Sequence, residues 1–195
     1  KLQSAYKIND TGSGAYLNMY SGSHYKTFNE VGRYYNNDIK LGNMMSIRTT
    51  TGFRYVELKG VEQWKAAFNE LNSLLTKAPN YSGRTYRGLG WQNTDKFEGF
   101  IKRFKKGNVV KNNGFWSSSA SQSKATAFIP ESSRYKVHLE IRGKTGTILN
   151  GMSKHIGEKE VLFSRNSNFI VKEIKEIIDP LGFSEKSYQI ILEEV

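Results

Sequence analysis

Apolar residues change their spacing part-way along this chain, and that change limits what it can fold into. Val61, Trp64, Phe68, Leu71, Leu75 and Ala78 recur at steps of three and four, which is one face of a helix. Pro79 follows and stops it. Tyr135, Val137, Leu139 and Ile141 recur instead at steps of two between polar neighbours, the mark of a half-buried strand. A second helix is predicted from a cap at Thr94 or Asp95, with Phe97, Phe100, Ile101 and Phe104 inward and Gly107 closing it. An earlier helix is predicted over about 23–33, carrying Tyr25, Phe28 and Val31.

Further strands are predicted at TYRGL, GFWSS, GTILN, KEVLF, FIVKEI and YQIILEE, with Gly, Asn and Ser punctuating between them. Strands this short and this close leave little room for βαβ crossovers. The expected class is therefore α+β with a mostly antiparallel core. A length of 195 residues suffices for one well-buried core. The expected organisation is one domain over 1–195, mainly helical in 1–80 and mainly strand in 81–195.

Several function classes fall away on composition. Cysteine is absent, so disulfides, thiolate nucleophiles and cysteine metal sites are excluded. His24, His138 and His155 are too scattered for metal-ligand spacing, and no metal is expected. No apolar run approaches the roughly 18 to 20 residues of a membrane helix, so no membrane span is expected. The start, KLQSAYKIND, has neither an apolar signal stretch nor an initiator Met, and a piece trimmed from a longer protein is the expectation. A net charge of +11 draws a chain to polyanions, acidic partners or phosphate-bearing ligands. The positive residues are nevertheless spread throughout, with KRFKK at 102–106 the densest knot, which reads as a solvated surface.

Against that basic background "GEKEVLF", residues 157–163, places two carboxylates one residue apart before an apolar run. As a strand it would turn Glu158 and Glu160 to one face, with Cα atoms roughly 6.5 to 7 Å apart. Alone, such a pair is ordinary surface. Two earlier fragments give it meaning: "TYRGLG", with Arg87 and Gly88, and "NGFWSSSAS", with Ser117, Ser118 and Ser119.

Aromatic-Arg-Gly, then aromatic-x-Ser-x-Ser, then E-x-E before an apolar strand resembles the R-S-E class of mono-ADP-ribosyltransferases. Within that class it looks like the bacterial toxin branch that includes the iota-type toxins. "AYLNMYSGSHYKTFNEVGR" is similar to the family's early helix, and "YKVHLEIRGKTGTILNGMSKHIGEKEVLF" resembles its strand, turn and ADP-ribosylating loop. Ser118 stands where the family commonly has Thr, and either supplies one hydroxyl. The resemblance implies two packed, roughly perpendicular, mostly antiparallel sheets with N-terminal helices.

It also implies an activity and roles. NAD⁺ would be a substrate, cleaved between nicotinamide and ribose through an oxocarbenium-like transition state. Glu160 would stabilise the developing ribose charge, and Ser117 would hold Glu160 and the nicotinamide end in place. Arg87, beside Gly88, would grip the pyrophosphate or the adjoining ribose with its forked guanidinium. Glu158 would orient an acceptor guanidine and favour its loss of a proton. In the resembled family a Glu at this place goes with arginine acceptors and a Gln with asparagine.

Arg134 precedes the "YKVHLEI" strand, where the family often has a basic residue near the phosphates. Tyr25 is a candidate for lining the NAD⁺ pocket, with core packing as the alternative. Trp116, adjacent to Ser117, is expected to face the other way into the core, and His155 to sit in a solvated loop. The expected protein is a secreted toxin or effector domain that modifies arginine of a host protein, with actin the first guess and nucleic acid an alternative acceptor. The competing readings are an NAD⁺ glycohydrolase and a basic nucleic-acid-binding module.

Overall fold

The computed structural model describes residues 13–45, 50–51, 57–149, 157, 159–179 and 182–195. The described part begins with helix α1 (Ser13–Met19), a π-helical turn (Tyr20–His24) and α2 (Tyr25–Arg33). After α3 (Asp38–Met45) and a two-residue ladder of β1 (Thr50–Thr51) with β2 (Glu57–Leu58) comes the long α4 (Gly60–Lys77). The face predicted for α4 is the buried one. Trp64, Phe68, Leu71, Leu75 and Ala78 are sealed, together with Ala67 and Leu74. Phe28 and Val31 of α2 join the same core, where Phe28 meets Trp64 edge-on at 5.4 Å. Tyr25, on the other side of α2, is 44% exposed.

Strand β3 (Tyr81–Trp91) opens the sheet. It is followed by α5 (Thr94–Arg103), β4 (Val109–Lys111), β5 (Trp116–Ser119) and α6 (Gln122–Ala127). The chain ends with β6 (Tyr135–Ile148), β7 (Glu160–Phe163), β8 (Asn168–Ile177) and β9 (Lys186–Glu194). The hydrogen-bonded order is β3-β5-β7-β6-β9-β8-β4, with β3 also paired to β6. Every ladder is antiparallel except β6–β9. The α+β, mostly antiparallel expectation is what the chain adopts.

Four local expectations need correction. GTILN is no separate strand, because β6 runs unbroken from Tyr135 to Ile148. Helix α5 is capped by Asn93, whose side chain accepts from the Lys96 amide, and it closes at Phe104. The KEVLF strand starts at Glu160, since Lys159 has φ of 49°, outside the extended region. Strand alternation therefore does not run back through Lys159. Lastly, α3, β1, β2, β4 and α6 have no counterpart among the predicted elements, being short and weakly periodic.

β6 serves two partners. Its first part pairs with β3, from Tyr135 opposite Trp91 onward, and its end pairs with β7 at Thr147 and Ile148. Glycines permit the crossing. A Cβ at Gly143 would stand 2.6 Å from the Phe163 ring, and one at Gly146 would stand 2.6 Å from Val161 Cγ1. No real side chain tolerates such contacts. The β5–β7 pair thus branches from the main sheet at β6 and carries one face toward the helices and the other toward the sheet core.

Period-two alternation sorts the residues of β5 and its lead-in. Phe115 and Leu162 join the helical core, whereas Trp116, Val161 and Phe163 pack with Phe169 and the sheet core. Trp116 is where the sequence places it, 5.1 Å edge-on to Phe169. Asn29 of α2 then ties the two layers, accepting the Phe115 amide at 2.8 Å. That bond fixes the start of β5 against α2, and with it the serines that follow.

Candidate active site

A cleft of about 470 Å³ opens where α2, β3, β5 and the start of β7 converge. Its walls include Arg87 and Gly88 of β3, Ser117 and Ser119 of β5, Glu160 of β7 and Tyr25 of α2. These residues are far apart in sequence. The ladder explains why they meet: Ser119 lies opposite Glu160, and Ser117 is its diagonal neighbour on the same face. Ser117 Oγ donates to Glu160 Oε1 at 2.7 Å. Arg87 Nη1 donates to the Ser117 carbonyl oxygen, also at 2.7 Å. One serine therefore couples the cation to the carboxylate.

The remaining polar groups keep this arrangement rigid. Ser118 Oγ donates to the Val161 carbonyl at 2.9 Å from the opposite face, and Ser119 Oγ accepts the Ser121 amide at 3.0 Å. Just past β6, the Leu149 amide donates to the Glu160 carbonyl at 2.8 Å, and just past β5 the Ala120 amide donates to that of Lys159 at 3.0 Å. Side chains held this way lose little freedom when a ligand arrives.

Arg87 is only partly satisfied. Its Nε is buried without a hydrogen-bond partner, and its guanidinium carbon lies 5.9 Å from the Trp116 ring centre. Burial pulls its pKa below the ordinary value, while Tyr20, Glu160 and Tyr25 nearby oppose that shift. An arginine stays protonated regardless. A guanidinium at the cleft wall, held in place by a backbone carbonyl, suits an anion. Tyr20, buried at the back of the cleft, has its phenol pushed up by burial, against a hydrogen bond with Asn29. It stays neutral.

Beyond Arg87 a second cleft of about 560 Å³ continues between α2, β3, α5 and β5. Arg87 and Asn29 line both clefts and mark their junction. Trp91, Phe100, Phe104 and Trp116 give the second cleft an aromatic wall.

The site residues expected from sequence divide clearly. Arg87, Gly88, Ser117, Glu160 and Tyr25 come together in one cleft. Arg134 does not. It donates from Nε to Glu185 at 2.7 Å on the surface, which raises its pKa. Arg134 is five residues along β6 from Leu139, the partner of Arg87, or about 16 Å of strand. Glu158 and His155 lie outside the described residues. Among the described residues no group of three or more His, Asp or Glu is placed to hold a metal. Among them, too, no helix is long and apolar enough to cross a membrane.

Sequence reasoning missed Tyr20, Asn29 and Phe128 as cleft residues. Tyr20, Tyr25 and Asn29 recur at five and four residues through the π-turn and α2, a spacing that could have flagged them. Phe128 follows a helix the sequence did not reveal, and it stands 59% exposed at the cleft lip. Gly88 has a steric duty as well, because a Cβ there would overlap the Ala125 carbonyl oxygen of α6 and stand 2.9 Å from Ile129 Cδ1. Gly88→Ala is expected to destabilise the fold by about 2 kcal/mol through overpacking. That is about 4 to 8 °C in melting temperature for a chain of this length, measurable by calorimetry. An unchanged Tm would mean α6 yields freely.

The model of one family, the ADP-ribosyltransferase exoenzymes, matches residues 5–195. The chain belongs to that family. Solved structures agree on the fold. The exoenzyme resembles the Vis toxin, an ADP-ribosyltransferase from Vibrio splendidus, at 23% identity and a TM-score of 0.65, over 94% of this chain and 72% of that one. A structure of Vis in complex with agmatine matches at 22% identity and 0.66, over 94% and 74%. The ATR domain of Salmonella SpvB matches at 17% and 0.60, over 92% and 98%. At these identities the likeness is one of fold. Among curated proteins, no sequence matches the exoenzyme.

Proposed function

We propose that this exoenzyme is an arginine-directed mono-ADP-ribosyltransferase of the R-S-E, iota-like type, which takes ADP-ribose from NAD⁺ and releases nicotinamide. The observation that carries the reading is the chain of bonds from Arg87 through Ser117 to Glu160 across the cleft floor. A carboxylate oriented by a serine suits a developing ribose cation, and a fixed, partly unsatisfied arginine suits a pyrophosphate. The two clefts meeting at Arg87 give the dinucleotide its path. Nicotinamide ribose lies toward Glu160, the pyrophosphate at Arg87, and adenosine in the aromatic second cleft. Tyr25 and Phe128, both exposed at the first cleft, flank the nicotinamide end.

As the bond between nicotinamide nitrogen and ribose C1′ breaks, positive charge grows on the ribose and Glu160 stabilises it in place. An acceptor guanidine nitrogen then forms the new bond to C1′ and gives up a proton. Glu158, the first Glu of the E-x-E pair, is the base that orients the guanidine and draws that proton. Agmatine, the molecule held by Vis, is itself a guanidine, which supports an arginine acceptor here. We take 1–195 as one catalytic domain of a secreted toxin or effector, with a helical part in 1–80 and the catalytic strands in 81–195. Its target is a host protein, with actin first, and a nucleic acid is the alternative acceptor.

Purified protein given NAD⁺ should release nicotinamide; a folded preparation that releases none would contradict the proposal. Arg87→Lys refines the test. Lys keeps the charge but loses the fork and its bond to the Ser117 carbonyl. The expected result is a KM for NAD⁺ raised about tenfold, the loss of roughly one charge-assisted hydrogen bond. An unaltered KM would make Arg87 structural.

A further inference from the structure

The second cleft holds more positive charge than two phosphates need. Arg33, Arg87, Arg103 and Lys111 line it, and no carboxylate does. Among the described residues, the ion pairs to Asp and Glu engage other cations and leave Arg33, Arg103 and Lys111 aside. In the proposed function Arg87 already meets the pyrophosphate, so three cations stand farther along the cleft without an assigned anion. Like charges gathered around a low-dielectric wall repel one another, and an anionic ligand relieves that repulsion.

The wall itself is aromatic. Phe100 stacks on Phe104 at 4.0 Å between ring centres, and Trp91 lies 4.8 Å from Phe100. Phe104 is sealed beneath the stack, so the half-buried Trp91 and Phe100 are what this wall offers to a flat base, and Arg103 and Lys111 sit exposed at its edge. In the proposed function the base lies on this wall and the pyrophosphate at Arg87, which puts the adenosine ribose between them, beside the cationic rim.

We infer that the second cleft accepts a third phosphate on that ribose, so that a 2′-phosphorylated dinucleotide of the NADP⁺ class serves as donor beside NAD⁺. The inference rests on the proposed function and adds a substrate to it. The chemistry is the same. Water or an acceptor guanidine bonds to ribose C1′ as the nicotinamide leaves, one proton is released, and the product is 2′-phospho-ADP-ribose or its adduct.

Calorimetric titration with 5′-AMP and with adenosine 2′,5′-bisphosphate tests the binding without turnover. The bisphosphate should bind about tenfold more tightly, the product of two exposed charge contacts at about two- to fivefold each. In the Arg103→Gln, Lys111→Gln double variant that preference should collapse toward unity, and raising the salt should shrink it in the wild type. Nicotinamide release should follow, with kcat/KM for NADP⁺ within about tenfold of that for NAD⁺ and the ratio falling about tenfold in the double variant. Equal binding of the two nucleotides by the wild type, or a preference that survives in the double variant, would overturn the inference while leaving NAD⁺ cleavage standing. Release from neither dinucleotide would instead overturn the functional proposal itself, and this one with it.

Discussion

Replacing Glu160 by Ala is expected to cut nicotinamide release from NAD⁺ by roughly 10² to 10³ or more, with the fold retained. The size follows from when the carboxylate acts. In the proposed function it meets a ribose that is nearly neutral in the ground state and cationic in the transition state, so its loss should fall on kcat rather than on KM. The fold should survive because the ladder at this point is made by the backbone. Glu160 contributes its carbonyl to the Leu149 amide, and Ala can do the same. The orphaned Ser117 hydroxyl faces a cleft that solvent reaches. Glu160→Gln keeps an acceptor for Ser117 Oγ and drops only the charge, so it should be nearly as inactive. Retention of release in a folded Gln variant would mean that Glu160 positions rather than stabilises.

Glu158→Gln should separate two activities that share everything else. A guanidinium with a pKa above about 12 is a poor nucleophile at neutral pH, whereas water attacking an oxocarbenium needs little help. Transfer to a guanidine should therefore fall by roughly 10² or more, the scale of general base catalysis, while NAD⁺ hydrolysis keeps much of its rate. Both activities are measured on one preparation, with agmatine as acceptor. A defect in NAD⁺ binding or folding would lower both together, which tells it apart from a loss at the acceptor. Equal loss would place Glu158 in support of Glu160, and equal retention would remove arginine as the acceptor.

How far the chain could be read without coordinates depended on the range of the contacts involved. Helix α4 and the first half of β6 declare themselves because their buried faces are long and follow one period. β4, three residues long, carries too few apolar positions to register a period. β6 looks like two strands in sequence for a different reason: glycines at 143 and 146 resemble punctuation, yet here they clear space for Phe163 and Val161 as β7 crosses. That meaning exists only in three dimensions.

The candidate site shows the same division. Arg87, Ser117 and Glu160 were legible from the order of their motifs, and the ladder brings them to within hydrogen-bond reach. Arg134 stands beside the β6 strand in sequence, but that proximity does not reveal that Glu185 claims it. The spacing of Tyr20, Tyr25 and Asn29 hints that Asn29 shares their face, but its tertiary bond to the Phe115 amide is nothing that spacing can name. The second cleft was also beyond reach, since its wall is drawn from β3, α5 and β5 together.

In the proposed function this cleft splits NAD⁺ and passes the ADP-ribose to a guanidine. Incubating the wild-type protein with NAD⁺ and saturating agmatine, then quantifying nicotinamide and ADP-ribosyl-agmatine by mass spectrometry, tests it directly. Both products are expected in nearly equal amounts and should vanish together in Glu160→Ala. Nicotinamide accompanied only by free ADP-ribose, at every agmatine concentration, would contradict it.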